Sequence, residues 1–489
     1  MDLFDECAER KYCSYYSGPR VLRIFLTGSQ DSCPVHISDV GYQSTVISTY
    51  FETIRKNPDD LMIFFKEMPK GGDIHIHASG AMHPDDIINI SVRHGLFVNP
   101  DYGQLVDLVT GQPYNYTNTQ HLVPVSGAYN NPTLYSDLVR SWTMKDFPFT
   151  TQSGHDRFFN TCDLIDPVTY YDGDVYANIR DRAADENILY LVLMTSQTNG
   201  DDVRKVLSTV DWDDNLSQLR DDLLHAGLAE IVERKVAKHA SYDQISGELS
   251  HPDGKNVTTR YIYEALRFYP KKEVFTDLLQ AFEIANKSPV ISGITLVGDE
   301  AAPYSADDYH LHMDMIAYLH SVYPDVFIEL HAGELTGEIA EKKDLLFHIA
   351  DAITIGNASR IGHGVAIQEE EGFENTLAIM REKDIPVEIL LTSNEQILNI
   401  SGPEHPVIVY LSHDVPVILA TDDPGVECTN LTLEYVIFTL NHPDVSYNAI
   451  KEINRNSIWY SFLPEDEKSE LLTRLDNSLD EFEKAIILP

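Results

Sequence analysis

Two histidines, His75 and His77, stand two residues apart in the apolar run DIHIHASG (73–80). Side chains at i and i+2 of a β-strand leave the same face, so the two imidazoles converge on one point. Taken alone, such a pair fits two separately bonded histidines as well as a metal site. Three further apolar runs end in the same kind of chemistry: VFIELHAGE in His331 and Glu334, RIGHGVA in His363, and VPVILATDDP in Asp422 and Asp423. Together they propose His75, His77 and His331 as neutral nitrogen ligands and Asp422 as a carboxylate ligand. That donor set suits one zinc ion per chain best, with iron or cobalt as alternatives. A metal so held brings the pKa of a bound water towards neutrality. The remaining tips then acquire roles. Glu334 could donate a proton, His363 could take one or steady developing charge, and Asp423 could orient water and substrate.

Such residues need elements that bring their tips together. Each lies at the C-terminal end of a short β-rich run, which is where a (β/α)8 barrel assembles its active site. Seven candidate strands are visible, at 72–80, 188–196, 292–300, 326–334, 360–366, 385–394 and 415–424, and an eighth is expected between 196 and 292. Amphipathic segments at 222–240, 276–287 and 335–354 read as the intervening helices. The fold class expected is therefore α/β, a (β/α)8 TIM barrel spanning 61–489. Residues 1–60 form an N-terminal extension, helical around 42–57 and available for a homodimer contact. The gap from Gly80 to Ile188 is longer than one crossover helix needs and is rich in Gly, Pro, Asn and Tyr. The part around 97–155 is read as an insertion over the barrel mouth.

The chain has 489 residues, with 36 Lys+Arg against 77 Asp+Glu, a formal net charge of −41. A surface of this sign repels nucleic-acid phosphates and anionic membranes, and points to a small-molecule substrate or an oppositely charged partner. The five cysteines, Cys7, Cys13, Cys33, Cys162 and Cys428, are odd in number and lack C-x-x-C spacing. Neither a disulfide framework nor a zinc ribbon is indicated. MDLFDECAERKYCSYY has no basic start followed by an apolar stretch, and no segment reaches the length of a membrane span, so a cytoplasmic location is expected.

The motifs MPKGGDIHIHASGA, LVGDE, HAGE, RIGHG and TDDP follow one another between Met68 and Pro424. In that order the chain resembles the adenosine deaminases of the amidohydrolase superfamily. MPKGG, with SWTMKDFPF around Trp142, resembles the growth-factor-related branch in particular. The resemblance implies zinc on His75, His77, His331 and Asp422. It also implies Glu334 protonating purine N1 while metal-activated water adds to C6, and His363 acting as base or electrostatic stabiliser. Asp423 would meet the N7 side and the Gly298 N–H would face N3. Two positions depart from the pattern. Ser79 stands where the compact enzymes carry a ribose-binding aspartate, and Ala78 where the growth-factor branch has one. Ser79 and Trp142 are therefore expected to hold the sugar. The activity implied is hydrolysis of adenosine and 2′-deoxyadenosine to inosine and 2′-deoxyinosine with release of ammonia. The alternatives are a deaminase of adenine, AMP or a modified adenosine, and a nucleoside-binding growth-factor-like protein. A two-metal amidohydrolase would want a lysine at the fourth strand tip, where VGDE has none, and the H-x-E…P-C-x-x-C signature of cytidine-type deaminases is absent.

Overall fold

The computed structural model describes residues 39–113, 121–145, 147, 152–196 and 200–487. Cys7, Cys13, Cys33 and the first part of the expected extension lie outside the described residues. Eight parallel strands form one sheet in sequence order. They are β1 Lys70–His77, β2 Ile188–Thr195, β3 Thr258–Leu266, β4 Ile291–Val297, β5 Phe327–Ala332, β6 Arg360–His363, β7 Val387–Ile389 and β8 Val417–Leu419. Most of their residues are buried, because a parallel sheet is covered on its outer face by helices and filled on its inner face by side chains. The sheet closes through the tail of β8. Asp422 pairs with Ile76, its N–H bonds the carbonyl of His75 and its carbonyl accepts the N–H of His77, both at 2.9 Å.

The eighth strand is β3, TTRYIYEAL, inside the gap where one was expected. Arg260 and Glu264 break its apolar run, so it carries no continuous hydrophobic signal. β7 and β8 are shorter than their apolar runs. After Ile389 the chain turns into a helix, Leu391–Leu398, so Ser393 and Asn394 lie on a helix and not at a strand end. The segment 335–354 departs from expectation as well. Only His348–Thr354 is α-helical. The preceding stretch instead drapes Leu335 onto Leu345 and Ala366 as a small satellite core. The helix read at 222–240 lies within a longer one, bent at Gly227 (φ 117°), the hinge between Leu216–Leu223 and Ala229–Leu249.

The helices Asp39–Ile54 and Pro58–Glu67 pack beside the C-terminal helix Glu465–Ile487, where Phe64 meets Tyr447 and Phe482 edge to face and Phe51 at a tilt. Between β1 and β2 the chain builds a small antiparallel sheet (Phe97–Asn99, Gln104–Val106, Val123–Pro124) and several helices. This unit is tied to the C-terminal face of the barrel. The Met144 N–H bonds the Val426 carbonyl at 2.7 Å, beyond β8, and His155 meets Asp299 at 3.1 Å, beyond β4.

Candidate active site

β1 delivers both of its histidines inward, as the i, i+2 spacing predicts. His75 Nε2 lies 3.0 Å and His77 Nε2 3.1 Å from His331 Nε2 at the end of β5. Asp422 Oδ1 is 3.6 Å from His75 Nε2 and 3.3 Å from His77 Nε2. An ion about 2.0–2.1 Å from four tetrahedral donors would set them about 3.3–3.4 Å apart, close to these separations.

The outer ring nitrogens decide which atoms are free to bind. His75 Nδ1 lies 2.6 Å from Glu388, and His77 Nδ1 lies 2.6 Å from Glu264. A carboxylate accepts, so both Nδ1 atoms carry a proton, and in the neutral rings a metal requires the lone pairs fall on Nε2. His331 Nδ1 is bonded to Thr295 at 3.1 Å, and Glu329 lies 3.5 Å from it. Lone pairs crowded 3 Å apart repel one another unless a cation sits among them. These outer partners fit a metal site.

His363 stands beside the same cluster, its Nε2 3.8 Å from Asp422 Oδ2. Grouped by distance alone, His75, His331, His363 and Asp422 could also share an ion. The hydrogen bonds assign its tautomer otherwise. The Val407 backbone N–H can only donate, and it meets His405 Nδ1 at 3.2 Å. His405 Nε2–H therefore donates to Asn394 Oδ1 (3.0 Å), which turns the Asn394 amide nitrogen onto His363 Nδ1 (3.0 Å). The proton of neutral His363 is then on Nε2, the atom a metal would need. His77 could then complete a four-donor set, with His363 presenting a donor instead.

Electrostatics separate the remaining groups. Burial, helped by Asp422 and Glu300, raises the Glu334 carboxyl well above its usual range. Burial also raises Asp423, and Asp422 reinforces it. Asp422 itself stays ionised. Burial opposes its charge, but His77, His363 and His75 outweigh that and hold it low. Burial pushes His363 down to about 3 and, with the neighbouring imidazoles, holds His331 far below its usual value. The site thus sets two carboxyl groups shifted towards the neutral acid beside a carboxylate shifted towards its charged form.

Gly80 explains the end of DIHIHASG. A Cβ there would stand 1.6 Å from Asp423 Oδ1, so only glycine lets the Asp423 carboxyl lie across the tip of β1. Ser79, next to it, is exposed. Gly298 lies half-buried in the turn after β4 at φ 97°, against the Phe268 ring. Trp142 corrects the sequence reading. It is fully buried, and its Nε1–H is satisfied by the Gly103 carbonyl at 2.7 Å, so it is a packing residue of the inserted unit with no face open to a sugar. Sequence reasoning missed Glu264, Glu388, Thr295, Asn394 and Glu300. The first two had a signal, a single carboxylate inside a barrel strand.

Fold and cluster together are those of an amidohydrolase-type barrel. A family model described as adenosine deaminase matches residues 214–478, just over half of the chain. The chain belongs to the adenosine deaminase family. It is 24% identical over 462 residues to adenosine deaminase 2-A of Danio rerio, covering 89% of this chain and 84% of that one. It is 29% identical over 192 residues to adenosine deaminase of Enterococcus faecalis, where the match spans 38% of this chain and half of the relative's length. Among solved structures, the N6-methyl-AMP deaminase of Arabidopsis thaliana superposes with a TM-score of 0.54 at 20% identity, over 86% of this chain and 99% of that one. The adenine deaminase of Arthrobacter aurescens gives 0.54 at 17% identity, over 84% and 99%. At those identities the likeness establishes the fold.

Proposed function

We propose that the protein hydrolyses adenosine and 2′-deoxyadenosine to inosine and 2′-deoxyinosine, releasing ammonia, with one zinc ion on His75, His77, His331 and Asp422. The observation that carries this reading is the convergence of three histidine Nε2 atoms beside the Asp422 carboxylate, each imidazole held from behind by Glu388, Glu264 or Thr295. When bound, zinc supplies a water acidified towards neutral pH as the nucleophile.

The chain's own groups do the rest. Glu334, kept protonated by burial, donates to purine N1 and so makes C6 electrophilic. Asp423, protonated for the same reason, donates to N7 and fixes the plane of the base. His363 turns its Nε2–H towards the cluster and steadies negative charge as it develops, while the Asn394–His405 chain holds the ring in that tautomer. Gly298 gives its turn to the N3 side, and Ser79 offers its hydroxyl to the sugar. The inserted unit, tied down at Val426 and Asp299, roofs the mouth and limits water.

The net charge of −41 favours a nucleoside over a nucleotide. The test is ammonia release by zinc-loaded protein from adenosine, 2′-deoxyadenosine, adenine and AMP at equal concentration. The two nucleosides should be turned over fastest. Release from adenine or AMP alone would move the substrate assignment, and none from any of the four would end the aminohydrolase reading.

A further inference from the structure

Glu334 has to sit within hydrogen-bond reach of its substrate atom, yet nothing regular holds it. β5 ends at Ala332, Gly333 turns the chain at φ 71°, and the residues after Glu334 are irregular as far as Asp344. The support comes from the next strand tip. The buried carboxylate of Glu300, three residues beyond β4, accepts the N–H of Gly333 on Oε1 at 3.0 Å and the N–H of Glu334 on Oε2 at 2.8 Å. The carboxylate is seated in turn. His348 Nδ1 lies 2.6 Å from Oε1 and Arg267 Nη1 3.7 Å away, while Arg267 Nη2 donates to the carbonyl of His331 at 2.8 Å and to that of Leu296. One guanidinium and one carboxylate therefore grip the peptide groups of His331, Gly333 and Glu334.

We propose that Glu300, seated on Arg267 and His348, is a positioning residue for catalysis: a two-pronged clasp on consecutive amides that sets where the Glu334 carboxyl points. This rests on the reading of Glu334 as proton donor. Charge-assisted bonds to backbone N–H are short and stiff, which suits a turn that no ladder supports. The charge persists at working pH. Burial pushes the Glu300 carboxyl up, but His348, Arg267 and the Gly333 N–H outweigh it and hold it at about 2. Misplacing a catalytic group by an ångström costs on the order of 10²-fold in rate, so a clasp remote from the substrate can be worth that much.

The test is a double-mutant cycle with Glu300→Gln and Glu334→Gln, together with amide hydrogen exchange. Glu300→Gln keeps the shape but sets an amide NH2 against one of the backbone N–H groups. In zinc-loaded protein it should lower kcat by about 10²-fold with KM for adenosine and zinc content near wild type. In a Glu334→Gln background it should cost little more, since the group it positions is already gone. Losses that multiply in the double mutant, or a loss matched by the fraction unfolded, would reduce Glu300 to a structural residue and overturn the proposal. The Gly333 and Glu334 amides of wild-type protein must also exchange slowly. Exchange as fast as in exposed loops would refute the clasp even if no variant folds. Slow exchange in a protein that releases no ammonia would instead leave the clasp and remove the proposed function.

Discussion

Replacing Glu264 with Gln tests the metal assignment without touching a ligand. Glu264 accepts the His77 Nδ1–H at 2.6 Å from inside β3, and both groups are largely enclosed. The amide can still accept, but it no longer makes the imidazole more basic or biases its tautomer with a full charge. Loss of such a partner lowers metal affinity by about 10–100-fold, or about 1.4–2.8 kcal/mol. At saturating zinc that difference is subtracted from the apparent stability by mass action, while apo protein lacks this term. The assay is competition for zinc against a chromophoric chelator, with thermal melts of the zinc-loaded and chelated forms. The gap between the two melting temperatures should shrink in Glu264→Gln. Zinc affinity equal to wild type would refute the placement of His77 in the ligand set and return the fourth position to His363.

Glu334→Gln should lower kcat by about 10²–10⁴-fold with zinc retained, on the scale of general-acid catalysis. Because burial raises Glu334 and the working form is the protonated acid, activity should be full below its pKa and fall as pH rises through it. This alkaline limb should vanish in the Gln variant, and a limb that survived would assign it to another group. Zinc affinity should fall as pH drops from neutral. Burial opposes charge on His75 and His77, yet Glu388 and Asp422 around His75, and Asp423, Asp422 and Glu264 around His77, raise both, so protons compete for the Nε2 atoms; isotherms independent of pH would contradict this. Trp142→Ala should destabilise the protein by about 3–5 kcal/mol, as the loss of a buried aromatic does. A variant that melted like wild type but had a raised KM would restore Trp142 to the sugar site.

The parts of this account legible in the sequence are those that depend on local periodicity. His75 and His77 share a face because a strand repeats every two residues, and the tips at His331, His363 and Asp422 fall together because parallel strands end on one face. The closure of the barrel at Ile76 and Asp422, by contrast, is a contact across the fold. What escaped notice depends on approach across the fold. Glu264 and Glu388 look like breaks in apolar strands until each is found behind a histidine from β1. Trp142 reads as a binding aromatic by type, and only its burial against Gly103 shows it to be core. The segment 335–354 has helical periodicity, but its first half is drawn over the strand tips by the satellite core at Leu335. Glu300 carries no periodic signal at all, since its amide partners Gly333 and Glu334 lie in the irregular turn beyond β5.

The central claim is that His75, His77, His331 and Asp422 hold one zinc ion on which deamination depends. Anomalous diffraction at the zinc edge, on crystals of protein shown beforehand to release ammonia from adenosine, tests it most directly. The account predicts one peak per chain, about 2.0–2.2 Å from Nε2 of the three histidines and from a carboxylate oxygen of Asp422. Two peaks in the mouth, a peak bonded to His363 in place of His77, or active crystals with no metal there would contradict it.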